Sequence, residues 1–486
     1  MENPTLGQTL SCIPVILRTV LRRCLFLSPV APKQGMKMEL IVALIRAFMN
    51  LDSPLTKVQR ASLRDPGVKN HMWISKVGLP KPVENGFMET FLKAVNHHKS
   101  GNETFTIPEL LDVEAEWTGY RKAPQESPAL PDISEEEKYA KLMESVTEDM
   151  TIMYIHGGAY YLMDPCTHRE TTTKLAQLTG ARCLSIRYRL CPSFPFPAGL
   201  LDALVAYLNL LSPPEGSLHA PVPANKIVFA GDSAGGGLSF ALLQLLLTLQ
   251  RIIPSKTIRF HGKDVPIDVP AGVATISPWC DVTRSLPSIT ANTKYDYIPA
   301  PTQIPGTTFT PLPFPADEMW PVSPPRVDFY ADANMVTHPM VSPICGPAEI
   351  WKGSPPIFMT FGEECLEDED LYFARRLHSV GGIKVAADRY EGMPHCFAMI
   401  DPSDKVSLHC LERWAKFCVD AVHDRVEGVG EAQFINHTAT NIEPRKLEDI
   451  GSLSDEEVQK IILEGRDWRV EGELELVKNW KAKANL

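Results

Sequence analysis

Several signatures of large functional classes are missing from this 486-residue chain. Its main glycine-rich turn is not followed by Gly-Lys-Ser/Thr and lacks Gly-x-Gly-x-x-Gly spacing. This argues against a phosphate loop and a dinucleotide site. No cluster of residues has zinc-like ligand spacing, so neither a metal nor a cofactor is expected. Positive charge is in short supply. Lys and Arg number 48 against 59 Asp and Glu, giving a net charge of −11, and a nucleic-acid partner is not expected. Long apolar runs are missing as well. Leu10 to Pro29 is broken by Pro14, Arg18, Arg22 and Arg23, short of the roughly 20 clean residues of a spanning helix. No cleavable leader pattern is visible, and no internal repeat. The 11 cysteines lie scattered from Cys12 to Cys418 with no paired short spacing. That pattern argues for free thiols in a reducing compartment. The expectation is an intracellular protein, cytoplasmic or peripherally membrane-associated. The sequons at Asn102 and Asn436 weigh only weakly against it.

What is present centres on Ser233. Lys226 to Ala230 reads as a short buried strand, Gly231-Asp232-Ser233-Ala234-Gly235 as a tight corner, and Gly236 to Arg251 as a leucine-rich helix. A serine between glycines at a strand-to-helix corner is lifted above the sheet, and the helix N-terminus favours developing negative charge beside it. Upstream, Met150 to Ile155 reads as a strand ending in His156-Gly157-Gly158-Ala159. If the serine attacks an acyl group, the N–H groups of Gly157, Gly158 and Ala234 are the expected oxyanion donors.

A general base is expected on a loop after a late strand. Lys384 to Tyr390 is that strand, and His395 in Glu391 to Phe397 is the candidate among 13 histidines. The acid is expected one strand earlier. Pro356 to Phe361 runs into Gly362-Glu363-Glu364, so Glu363 and Glu364 are best placed. Asp368 and Glu369 read as first-turn residues of the next helix, part of a mostly solvated acidic start.

Together these motifs resemble the hormone-sensitive-lipase-like family of α/β-hydrolases, particularly its fungal members. Tyr154-Ile155-His156-Gly157-Gly158-Ala159, Tyr188-Arg189-Leu190-Cys191-Pro192, Gly231 to Gly236, Ser277-Pro278-Trp279, His338 to Pro343 and Gly392-Met393-Pro394-His395 follow the family's order over roughly residues 150–425. The resemblance implies an α/β fold with a mostly parallel central sheet, helices on both faces and an N-terminal helical cap. The family usually has Asp-Pro-Leu at the acid. Matching Leu366 and Asp368-Glu369 to that pattern implies Glu364, with Cys365 at the usual proline. Ser233, Glu364 and His395 are then the expected catalytic set.

The expected organisation is an N-terminal helical cap or membrane-proximal segment over 1–100, a catalytic domain over 105–426 and a charged helical tail over 427–486. First strands are expected within 105–122 and a surface excursion over 124–149. The stretch 298–326 holds nine prolines, which excludes regular helix or central strand. It is read as a surface insertion. Ser454-Asp455-Glu456-Glu457 fits a capping box. The apolar stretches 10–29 and 39–49 allow two readings, cap helices or a peripheral membrane anchor; the cap is preferred.

The expected function is hydrolysis of a small or medium acyl ester through an acyl-enzyme. The resemblance favours acetyl esters of sterols, secondary metabolites or xenobiotics. Tyr160, Tyr161 and Met163 follow the glycine loop and are candidate pocket residues, with plain core packing as the alternative. A non-hydrolytic ligand-binding member, or an amidase or acyltransferase on the same triad, remains open.

Overall fold

Central strands that are apolar at every position need cover on both faces. A computed structural model describes the chain except residues 1–5, 50–52, 70, 123–129, 311, 313, 428 and 485–486. Its strands are β1 (Met72–Leu79), β2 (Val113–Tyr120), β3 (Thr151–Ile155), β4 (Arg182–Arg187), β5 (Ile227–Asp232), β6 (Thr257–Phe260), β7 (Lys263–Pro266), β8 (Gly272–Ile276), β9 (Ile357–Gly362), β10 (Val385–Tyr390), β11 (Glu431–Ile435) and β12 (Ile442–Lys446). β6 and β7 pair only with each other. The other ten form one sheet in the order β1-β2-β4-β3-β5-β8-β9-β10-β11-β12. It is parallel from β4 to β11, with antiparallel pairings at its two ends.

The helices are α1 (Leu6–Cys24), α2 (Met36–Phe48), α3 (Leu55–Ser62), α4 (Phe87–His97), α5 (Glu135–Met143), α6 (Arg169–Thr179), α7 (Ala198–Leu211), α8 (Ser233–Ile252), α9 (Ser288–Ala291), α10 (Glu367–Ser379), α11 (Phe397–Ile400), α12 (Lys405–Val422) and α13 (Asp455–Ala484). Successive strand residues feed opposite cores. Met153, Ile155, Ile227 and Phe229 pack with α7, α8 and α10. Ile152, Tyr154, Val228 and Ala230 pack with α6 and α12. Each of the buried Val, Ile, Met and Phe side chains among them contributes about 1.5–3 kcal/mol. One helix among the described residues, α8, is long and apolar enough to cross a membrane; it is buried in this core.

The structure corrects several boundaries. The first 100 residues are not all helix: they hold β1, whose pairing with β2 makes it the sheet's edge, and α4, packed on α8. Within 105–122 only Val113–Tyr120 is strand. The catalytic unit also extends past residue 426, because β11 continues the parallel ladder from β10. The region from 427 is therefore two strands and one long helix. Ser454 and Glu457 exchange the two bonds of a capping box ahead of that helix, as the sequence predicts. The stretch read as a surface excursion contains α5, whose Tyr139 and Leu142 are buried; residues 124–129 of it lie outside the described part. The proline-rich stretch is free of helix and strand among its described residues, but it is clasped. Asp317 accepts hydrogen bonds from Thr56 on one side, and Thr307 accepts one from Trp468 of α13 on the other.

Candidate active site

β5 ends at Asp232 and α8 begins at the next residue. Ser233 turns this corner with φ +51°, a left-handed conformation that costs a non-glycine residue about 1–2 kcal/mol. Crowding explains the glycine on its far side. A Cβ at Gly235 would lie 2.0 Å from the carbonyl oxygen of Ile155. Ser233 remains half-buried among buried neighbours. Its Oγ makes no hydrogen bond among the described residues, to His395 or to any other side chain.

The strands beside β5 bring the remaining groups to the same end of the sheet. β5, β8, β9 and β10 are neighbours running in one direction, and open α/β sheets form their sites beyond such carboxyl ends. Glu364 follows β9 and His395 follows β10. His395 Nδ1 lies 2.9 Å from Glu364 Oε1. The other carboxylate oxygen, Oε2, accepts the Ser277 hydroxyl at 2.6 Å and the Gly362 N–H at 3.1 Å. Glu364 is completely buried, yet both of its oxygens are satisfied, as a buried carboxylate requires.

The His395 pKa is raised well above the usual 6.5. Burial works against the charged ring, while Cys396 and the Glu364 carboxylate work for it. Burial pushes the Cys396 thiol up to about 12, so the thiol is neutral near pH 7 and Glu364 supplies the upward pull.

Two side chains that the sequence does not mark as braces hold this pair together. Ser277, at φ +47° after β8, donates to Glu364 and accepts the Cys396 N–H at 3.0 Å. The position of Ser277-Pro278-Trp279 after a strand was the available clue. Asp296, fully buried, accepts the Cys365 N–H at 2.8 Å and the His395 N–H at 3.2 Å. It thereby ties the acid loop to the histidine loop. Nothing in the local sequence marks it.

The neighbouring acids separate cleanly. Glu363 points away from His395, to Lys33 Nζ at 3.0 Å and the Gly392 N–H at 3.0 Å. The acidic start of α10 is not mostly solvated, contrary to expectation. Glu369 is buried and accepts the N–H groups of Cys280 and Asp281. Asp368 accepts that of Ser288. These carboxylates fasten the 280–288 loop.

On the opposite side, the glycine loop requires a correction. The Gly157 N–H donates to Asp232 Oδ1 at 3.1 Å, so it is not available to an oxyanion. Asp232 Oδ1 also accepts the Tyr154 hydroxyl at 2.7 Å and lies 3.4 Å from His168 Nε2. The N–H groups of Gly158 and Ala159 have no partner among the described residues. Gly158 and Ala159 sit at φ +104° and +52°. Ala234 lies in the first turn of α8, where N–H groups lack intrahelical acceptors. His156 stacks on Tyr188 with ring centres 4.4 Å apart, and its pKa falls to about 4 through burial and the neighbouring His168. It is a neutral packing group.

The three candidate pocket residues do not share one environment. Tyr160 is buried and stacked flat on Tyr330, ring centres 3.6 Å apart, with its hydroxyl near Gly237 of α8. Tyr161 packs edge-on against Phe329. Met163 is exposed and its N–H donates to Ser62 of α3. α3 covers this loop further through Gln59, which donates to the carbonyls of Tyr161 and Cys191.

Residues 152–399, about half of the chain, match the family described as alpha/beta hydrolase fold. The chain belongs to the α/β-hydrolase family. An acetyl-hydrolase of Streptomyces hygroscopicus is 28% identical to this hydrolase over 252 residues, 52% of this chain and 69% of that protein. An esterase of Acinetobacter venetianus is 27% identical over 268 residues, 54% and 74% of the two chains. Among solved structures, an esterase from the bacterial hormone-sensitive lipase family superposes with a TM-score of 0.51 at 20% identity, covering 80% of this hydrolase and 99% of that chain. At that identity the likeness is one of fold.

Proposed function

We propose that this carboxylesterase-like hydrolase cleaves small or medium acyl esters through an acyl-enzyme on Ser233. On this reading it is a fungal-type member of the hormone-sensitive-lipase-like group. Ser233 Oγ attacks the acyl carbonyl, and His395 takes its proton and returns it to the leaving alcohol. Glu364 fixes the imidazole and balances its charge. Gly158, Ala159 and Ala234 donate N–H bonds to the oxyanion, each worth about 3 kcal/mol in the transition state.

The observation that supports this most is the Glu364–His395 contact of 2.9 Å, with the second carboxylate oxygen fixed by Ser277 and Gly362. A carboxylate so held serves to orient an imidazole. The Ser233–His395 bond is absent here, and such bonds often tighten only in the substrate complex. A relative named acetyl-hydrolase favours short acyl groups, and the family resemblance favours acetyl esters of sterols, secondary metabolites or xenobiotics.

Hydrolysis of p-nitrophenyl esters from acetate to palmitate, by wild type and Ser233→Ala, tests the reading. Turnover of the short esters that vanishes in the variant supports it, and the chain-length optimum sizes the acyl pocket. Folded wild-type protein that turns over none of them rejects it in favour of ligand binding or acyl transfer.

A further inference from the structure

The N-terminal hairpin of α1 and α2 carries an apolar face that no described residue covers. Leu17 and Leu21 on α1 are more than half exposed, and Leu25, Phe26 and Leu27 extend the row around the tip. Phe26 is 95% exposed at φ +57°. Contiguous apolar surface of this kind marks an interaction site.

Charge around the hairpin is sorted. Arg23 turns inward to Glu39 at 2.6 Å and to the carbonyls of Gln34 and Ala31. Arg18 and Arg22 stay exposed beside the leucines, without a carboxylate partner among the described residues. In a chain of net charge −11 this is a local positive patch next to an apolar one.

We propose that the hairpin tip docks on an anionic lipid surface. Leu17, Leu21, Leu25, Phe26 and Leu27 enter the boundary between headgroups and acyl chains, and Arg18 and Arg22 meet the headgroup charge. A two-fold dimer through the same face would set the exposed arginines of one copy against those of the other, a like-charge juxtaposition that disfavours it. The position of the hairpin adds a consequence. Directly after the tip, Lys33 binds Glu363, and Gln34 donates to the carbonyl of Gly392 at 3.0 Å, three residues from His395. The docked face is thus rooted in the histidine loop. If the ester reading holds, the active site sits beside the membrane, where an apolar ester is concentrated.

Docking itself does not depend on the ester chemistry, and its test has its own readout. The full chain is pelleted with phosphatidylcholine vesicles, with and without phosphatidylserine. Wild type is expected in the pellet with the anionic vesicles. The pair Leu25→Ser and Phe26→Ser is expected to lower the bound fraction about tenfold or more. Arg18→Gln with Arg22→Gln is expected to lower it several-fold, and only on anionic vesicles. Unfolding midpoints, and p-nitrophenyl acetate turnover where wild type shows it, are expected to stay unchanged. Wild type that remains in solution with both vesicles overturns the proposal, as does a serine pair that binds like wild type. A wild-type dimer in light scattering that the serine pair dissolves also overturns it, by assigning the face to a second copy. Protein that docks but turns over no ester rejects the ester reading and leaves the docking standing.

Discussion

The two sides of the Ser233 corner are braced by hydrogen bonds and packing in different proportions. On the histidine side, the scaffold is a set of buried hydrogen bonds. Glu364 and Asp296 each accept two or more bonds, and every bond ends on a neighbouring strand end or loop. On the glycine-loop side a buried carboxylate also takes part, Asp232 accepting the Gly157 N–H and the Tyr154 hydroxyl, but close contact is added to it: backbone near-touching backbone at Gly235 and Ile155, and Tyr160 flat against Tyr330. The difference follows from the load each side carries. A group that gains charge needs fixed dipoles and counter-charges around it. N–H donors only need to be kept free and aimed, which packing does.

Six substitutions test that division, beginning with the largest effect. Ser233→Ala and His395→Ala are each expected to lower kcat for a p-nitrophenyl ester by about 10⁴-fold or more; residual activity near wild type would remove either residue from the chemistry. Glu364→Gln is expected to cost about 10³–10⁴-fold in kcat, while Glu363→Gln, facing Lys33, costs under about tenfold. The reverse ranking would assign the acid to Glu363. Asp296→Asn keeps one acceptor oxygen where the N–H groups of Cys365, His395 and Ile298 all bind and leaves a buried donor unpaired, a loss of about 1–3 kcal/mol in stability by denaturant unfolding. Tyr330→Ala removes a buried ring without touching a charge. It is expected to cost about 3–5 kcal/mol in stability and to leave the pH profile in place.

The pH profile gives the finest discrimination. Turnover requires neutral His395, so activity falls as pH drops through its pKa. That pKa is raised above 6.5 with Glu364 as a cause. The acid limb of kcat/KM is therefore expected above pH 6.5, and in Glu364→Gln it is expected to move down. A limb that does not move in that variant would detach the histidine from the carboxylate.

The sequence was most legible where a local pattern meets a steric demand. A serine between glycines, at a strand-to-helix corner, leaves few alternatives. Glu364 was separable from Glu363 only through the family resemblance, which matches Leu366 and Asp368-Glu369 to the family's acid motif. Asp296 and Ser277 were not legible as braces, because their partners lie 69 to 119 residues away in the chain. The Gly157 donor was misassigned for a similar reason: its acceptor, Asp232, is on another strand, 75 residues on. β1 escaped notice because its first four residues are all buried, which hides strand alternation. β12 escaped for the opposite reason: it is exposed throughout and contains Pro444, leaving no apolar pattern to read.

The contact between Lys33 and Glu363 joins positions 330 residues apart. A Cβ at Gly392 would lie 2.4 Å from the Lys33 carbonyl oxygen, so the early segment is moulded to the histidine loop. On the ribosome, residues 28–39 emerge long before β9 and β10 exist. They must wait, undocked, while most of the sheet is made and folded, because a closure of this range forms late. This early segment is thus among the last to reach its place, and the surroundings of His395 are finished only when it arrives.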